Sequence, residues 1–150
     1  MADIGLNPPR TDRRQIIGVK STGAGVKYAH VVIYDSGDAS YQAVKLPTGA
    51  GNTGVAGVVA DQGDPNDSGK HPSGGEFGVC RDGIAEVYLE ASATATKGGP
   101  AITAATAGTV KDAAGSAPYD VVGYFMETKT AGAGAAELVS IDVSIQRRFA

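Results

Sequence analysis

The chain has no tryptophan, one cysteine and two histidines in 150 residues, and aromatics make up only 6% of it. With Cys80 alone, no disulfide can form within the chain. Its apolar neighbours Phe77 and Val79 predict a buried, inert thiol. Two histidines and one cysteine are too few for the usual zinc cage. No Gly-x-Ser-x-Gly elbow and no Cys-His pair at motif spacing is present, so no nucleophilic machinery is expected. No apolar run approaches the ~18 residues of a membrane span. The N-terminus, MADIGLNPPRTDRR, is polar from the start and has no apolar signal segment. Synthesis in a cytoplasm is therefore expected, and retention there unless another route releases the protein. A net charge of -3 supplies no global field that would select nucleic acid. Neither nucleic acid nor membrane is expected as a partner. The scarcity of tryptophan also leaves little support for an aromatic carbohydrate platform.

Strand patterning fills the rest. Val139, Ile141, Val143 and Ile145 alternate with Leu138, Ser140, Asp142 and Ser144, a period of two that builds one apolar face. Ala85, Val87 and Leu89 alternate with Ile84, Glu86 and Tyr88, and Val122, Tyr124 and Met126 with Val121, Gly123 and Phe125. The stretch 28–34 (YAHVVIY) is apolar on both faces and predicts a well-buried strand, with His30 as a packed or hydrogen-bonded residue. Asp35-Ser36-Gly37-Asp38 is turn chemistry, so 28–46 reads as a hairpin. Further strands are expected at 16–20, 54–61, 76–80, 83–90, 120–127 and 137–145, with short pieces near 100–103 and 108–111. Gly57 lies inside a strand, which predicts a bulge or a close backbone approach. The fold class is thus all-β: a small barrel- or sandwich-like domain over 16–150, with a thin core of small side chains that subunit contacts would supplement.

Two segments fall outside that pattern. Residues 1–15 form an extended N-terminal arm in which Pro8-Pro9 fixes an extended step and Arg10, Arg13 and Arg14 cluster with Asp12. It reads either as a loose terminus or as an arm that orders on a partner. Residues 62–75 are the longest polar insertion, of a length that is usually functional or mobile.

Four short stretches match known motifs only in part. Gly49 to Gly54 fits G-x-G-x-x-G, but Asp64-Pro65 breaks the helix that a dinucleotide site requires. Asp64 to Gly69 resembles the start of a calcium loop, yet its twelfth position is Gly75, with Glu76 one residue late and no flanking helices; whether this loop takes calcium or a receptor stays open. Gly69-Lys70 lacks the rest of a phosphate loop. Lys129 enters a long TAGAGAA loop, unlike a carrier lysine on a tight turn. No catalytic, cofactor-binding or metal residues are assigned, and no enzyme activity is expected.

From residue 42 to 146 the order of elements resembles a family. It runs GVAGVV at 54–59, GVCRDGIAEV at 78–87, GGP at 98–100, AGTV at 107–110, VVGYFMET at 121–128 and ELVSIDV at 137–143. This is similar to the capsid decoration, or cement, proteins of tailed bacteriophages; the 62–75 insertion departs from their pattern. The resemblance implies a small β-barrel on the exterior of a phage head that clamps major capsid subunits, often as a homotrimer on threefold positions. It implies no catalytic residue and no cofactor. It also implies capsid attachment through the arm, here Pro8, Pro9, Arg10, Arg13 and Arg14. The alternative is a tail, fibre or carbohydrate-binding β module of a virion.

Overall fold

The computed structural model describes residues 15–40, 42–114 and 118–148. Eleven strands are present among them, with one 3-10 turn at Pro65–Asp67 and no α-helix. The strands are β1 (Gln15–Ser21), β2 (Val31–Tyr34), β3 (Ala43–Lys45), β4 (Val55–Val59), β5 (Glu76–Leu89), β6 (Thr94–Ala95), β7 (Pro100–Thr103), β8 (Val110–Asp112), β9 (Tyr119–Phe125), β10 (Lys129–Thr130) and β11 (Glu137–Arg148).

The 14-residue strand β5 belongs to two rings. In the first, the order β1-β3-β2-β4-β5 closes through β1–β5 pairing into a five-stranded barrel. In the second, β5-β11-β9-β7-β8 returns to β5 at the single parallel pair Leu89–Val110. The first half of β5, Glu76 to Asp82, pairs with β1; the second half, Asp82 to Leu89, pairs with β11. Gly83, at φ +108°, sits just past the changeover, where a residue without a Cβ lets the strand bend from one ring to the next. The sequence pattern splits this region into 76–80 and 83–90; the structure joins them, because both neighbours bond to one continuous strand.

The two-sided burial of 28–34 has a matching cause. Val32 in β2 and Ala56 and Val59 in β4 point into the core with Val19, Val26, Val44, Phe77 and Val79. Their neighbours Val31, Ile33, Val55 and Val58 point into a second core with Cys80, Val87, Leu89, Phe125, Val139, Ile141 and Val143. Strands β2 and β4 are thus a wall between two cores. Small aliphatic side chains carry both, as the aromatic-poor composition predicts; Phe125 is the one aromatic among the largest fully buried side chains. Each fully buried Val contributes about 1.5–3 kcal/mol.

Gly57 fulfils both sequence expectations. The β2–β4 register slips between Val32 and Ile33, opposite Gly57 and Val55. A Cβ at Gly57 would stand 2.5 Å from the Cys80 carbonyl oxygen. The expected hairpin over 28–46 is present but short, with Ile33 opposite Lys45 and Tyr34 opposite Val44. The small β6–β10 sheet is absent from the sequence reading. Its two-residue strands leave no period to detect.

Candidate interaction face

The arm residues Pro8, Pro9, Arg10, Arg13 and Arg14 lie outside the described residues. The other singled-out residues have local structural partners. The His30 ring packs edge-on against Tyr88 at 5.9 Å, and its Nδ1 accepts the Lys27 N–H at 3.2 Å. Burial, with Lys27 nearby, lowers its pKa to about 4, so the ring is neutral at physiological pH. His71 stacks on Phe77 at 4.5 Å, with its Nε2 2.9 Å from the Asp61 carbonyl oxygen. Cys80 is fully buried, and its thiol donates to the Asp82 carbonyl at 3.4 Å. Among the described residues no three His, Cys, Asp or Glu side chains converge as a metal site would need.

The polar insertion 62–75 is built. The Asp64 carboxylate, a candidate calcium ligand by its position, accepts the Asn66 N–H at 2.8 Å and caps the 3-10 turn. Lys70 bridges in β fashion to both Lys27 and Asp64, and the His71 N–H donates to the Val26 carbonyl. This loop therefore closes over the first barrel. The Gly49–Gly54 run is a turn held by Asn52, whose side-chain oxygen accepts the Thr48 and Gly49 N–H groups. Lys129 donates to the Leu138 carbonyl at 2.9 Å, a strand-end role.

Asp120 welds the two rings. Its carboxylate is buried and accepts the Gly54 N–H at 2.7 Å and the Val55 N–H at 3.0 Å. It also pairs with the Arg147 guanidinium, whose pKa is raised by that hydrogen bond. Start of β4, start of β9 and end of β11 meet at this one side chain.

A second feature is the outer face of β5, β11 and β9. Because side chains alternate, burying Val87, Leu89, Val139 and Ile141 forces their neighbours outward. The register sets these neighbours in rows: Tyr88 beside Leu138, Glu86 beside Ser140, Ile84 beside Asp142 and Tyr124, and Asp82 beside Ser144. Met126, 39% exposed, continues the face beyond β9, and the Tyr28 hydroxyl donates to Glu86 at 3.2 Å. Three tyrosines, Leu138, Ile84 and Met126 thus share a surface with Asp82, Glu86 and Asp142. Among the described residues no cation pairs with those three carboxylates. Tyr and Met are enriched where proteins bind one another. Period-two reading of 82–89 and 138–146 marks which residues point outward, but only pairing register sets them in one face.

This fold has a solved counterpart in a phage particle. The chain shares it with "head fiber gp8.5 N base in bacteriophage phi29", at a TM-score of 0.53 and 16% sequence identity, over 88% of this chain and 95% of that one. No protein-family model and no curated protein sequence matches the chain. The likeness establishes the fold; the residues of the face and of the arm are read from this chain alone.

Proposed function

We propose that the chain is a structural protein of a phage virion and, within that class, a capsid decoration protein. It binds the outer surface of the assembled head and stabilises it by bridging major capsid subunits, as a homotrimer at threefold positions, without catalysing a reaction. The observation that carries the reading is the fold shared almost end to end with a phage head fiber base, in a chain whose order of elements already resembles decoration proteins. The physics suits the role. Many copies that bind only the assembled shell stabilise it by mass action. The arm, with Arg10, Arg13 and Arg14, supplies guanidiniums that pair with carboxylates on capsid subunits.

A second reading, a fibre module, draws on the same neighbour, which is itself described as a head fiber. Co-sedimentation with expanded, empty shells separates the two. A decoration protein saturates the shell surface, and removal of residues 1–15 lowers its binding at least about tenfold, on the order of 1.4 kcal/mol. A fibre module leaves most of the shell bare.

A further inference from the structure

On the outer face of β5 and β11, exposed carboxylates surround an apolar centre. Asp142 of β11 stands directly opposite Ile84 of β5. Asp82 and Glu86 lie two residues to either side of Ile84 on the same strand, so each is a diagonal neighbour of Asp142, about 7–8 Å away. All three carboxylates are exposed, whereas Ile84 and the Tyr88–Leu138 row are half-buried. Charges of one sign at this spacing repel, and the cations nearest them in chain or register are engaged elsewhere. Arg81 donates to the Tyr34 hydroxyl at 2.9 Å, Lys129 donates to the Leu138 carbonyl, and Arg147 pairs with Asp120. We propose that this β5–β11–β9 face docks on a surface of the major capsid protein that presents lysine or arginine around an apolar patch. The partner's identity rests on the decoration reading; what is added is which face meets it and what that face must find there.

The chemistry of the face selects that occupant. Apolar and tyrosine side chains among charged ones match the make-up of protein interfaces, where apolar contact supplies affinity and charge fixes partner and orientation. Two of the rings are held before binding. The Tyr28 hydroxyl donates to Glu86 and the Tyr124 hydroxyl to Gln146, each at 3.2 Å, so less side-chain freedom is lost on docking. A guanidinium or ammonium set among Asp82, Glu86 and Asp142 relieves their repulsion, and an acidic partner aggravates it. A nucleic acid would set phosphates against the same carboxylates. A second copy placed face to face would do the same with its own.

The decoration reading already pairs the arginines at 10, 13 and 14 with capsid carboxylates. The outer face asks for capsid cations instead. One copy therefore needs two patches of opposite sign on the shell, and that requirement fixes its orientation there. Exposed ion pairs are individually weak, so the apolar centre at Ile84 carries affinity and the carboxylates carry selection.

The test is co-sedimentation of the full chain with expanded, empty shells, after thermal melts have checked that each variant is folded. Asp82→Lys with Asp142→Lys reverses two exposed charges that make no ion pair among the described residues. Asp67→Lys with Asp112→Lys makes the same change in net charge away from these three strands. The face reversal should lower shell affinity at least about tenfold, most at low salt, where screening is least. The control reversal should lower it by less than about twofold, and Ile84→Ala should lower it about fivefold. Equal binding of the parent and the face reversal would overturn the proposal and leave the decoration reading standing. Equal losses from the two reversals would also overturn it, because net charge and not this face would then govern binding. Shells that bind no form of the protein would overturn both, since the shell is the partner named. Self-association of the free protein that the face reversal abolishes would assign the face to a second copy and overturn the proposal.

Discussion

Asp120 offers the sharpest test of how the two rings are held together. Its Oδ2 accepts both the Gly54 and the Val55 N–H, and its Oδ1 meets Arg147. In Asp120→Ala both N–H groups lose their acceptor at a largely dry site. An unsatisfied buried donor costs about 1–3 kcal/mol, so the pair costs about 4 kcal/mol. For a domain of this size each kcal/mol moves Tm by about 2–4 °C, giving a fall of about 8–16 °C. Arg147 contributes less, because its side chain is 44% exposed and regains water when the partner is lost. Asp120→Asn separates the roles. Its amide oxygen can take the place of Oδ2 and keep both N–H bonds, while the amide nitrogen faces a solvated Arg147. Thermal melts of the three variants Asp120→Ala, Asp120→Asn and Arg147→Ala should give one large fall and two small ones. If Asp120→Asn melts as low as Asp120→Ala, the ion pair and not the backbone acceptor holds the junction, and the reasoning fails.

Three further outcomes follow from the same structure. Gly57→Ala should lose about 3 kcal/mol in denaturant titration, because its Cβ would overlap the Cys80 carbonyl, while Gly18→Ala, with nothing within 4 Å, should stay within about 0.5 kcal/mol of the parent. The pKa of His30 falls on folding to about 4, so the unfolded chain binds its proton first. The stability linked to it is complete above about pH 6.5 and is lost as pH falls toward 4, by on the order of 3 kcal/mol; His30→Gln should flatten the Tm-against-pH curve in that window, and an unchanged slope would locate the titration elsewhere. Cys80 should react with a bulky thiol reagent only at the rate of unfolding, and Cys80→Ser should cost about 1–3 kcal/mol; rapid labelling of the native protein would place the thiol at the surface.

Much of the fold is legible in the residues because alternation is a local signal. Val139, Ile141 and Val143 declare a buried face without any knowledge of their partners, and Gly57 declares a close approach by being glycine where a strand prefers a side chain. The apolar run at 31–33 declares burial on both sides, though not its reason, which is that β2 and β4 divide two cores. What sequence cannot supply is pairing at a distance. That β5 serves two rings depends on which strands bond to each half. Asp120 looks like an ordinary strand-end carboxylate until Gly54, Val55 and Arg147 converge on it. The outer face of β5, β11 and β9 is hidden for the same reason: Tyr88, Leu138, Asp142 and Tyr124 come from three separated segments, and only the register of β11 between β5 and β9 brings them together. The insertion 62–75 is polar like a mobile loop, yet its backbone bonds to Val26 and Ser21 hold it in place.

A density map of intact particles that carry this chain tests the central claim most directly. The account predicts the two-ring β fold on the outer surface of the head, in clusters of three about threefold and quasi-threefold positions, each copy in contact with more than one major capsid subunit. A bare head surface, with the fold found in the tail or nowhere on the particle, would contradict it.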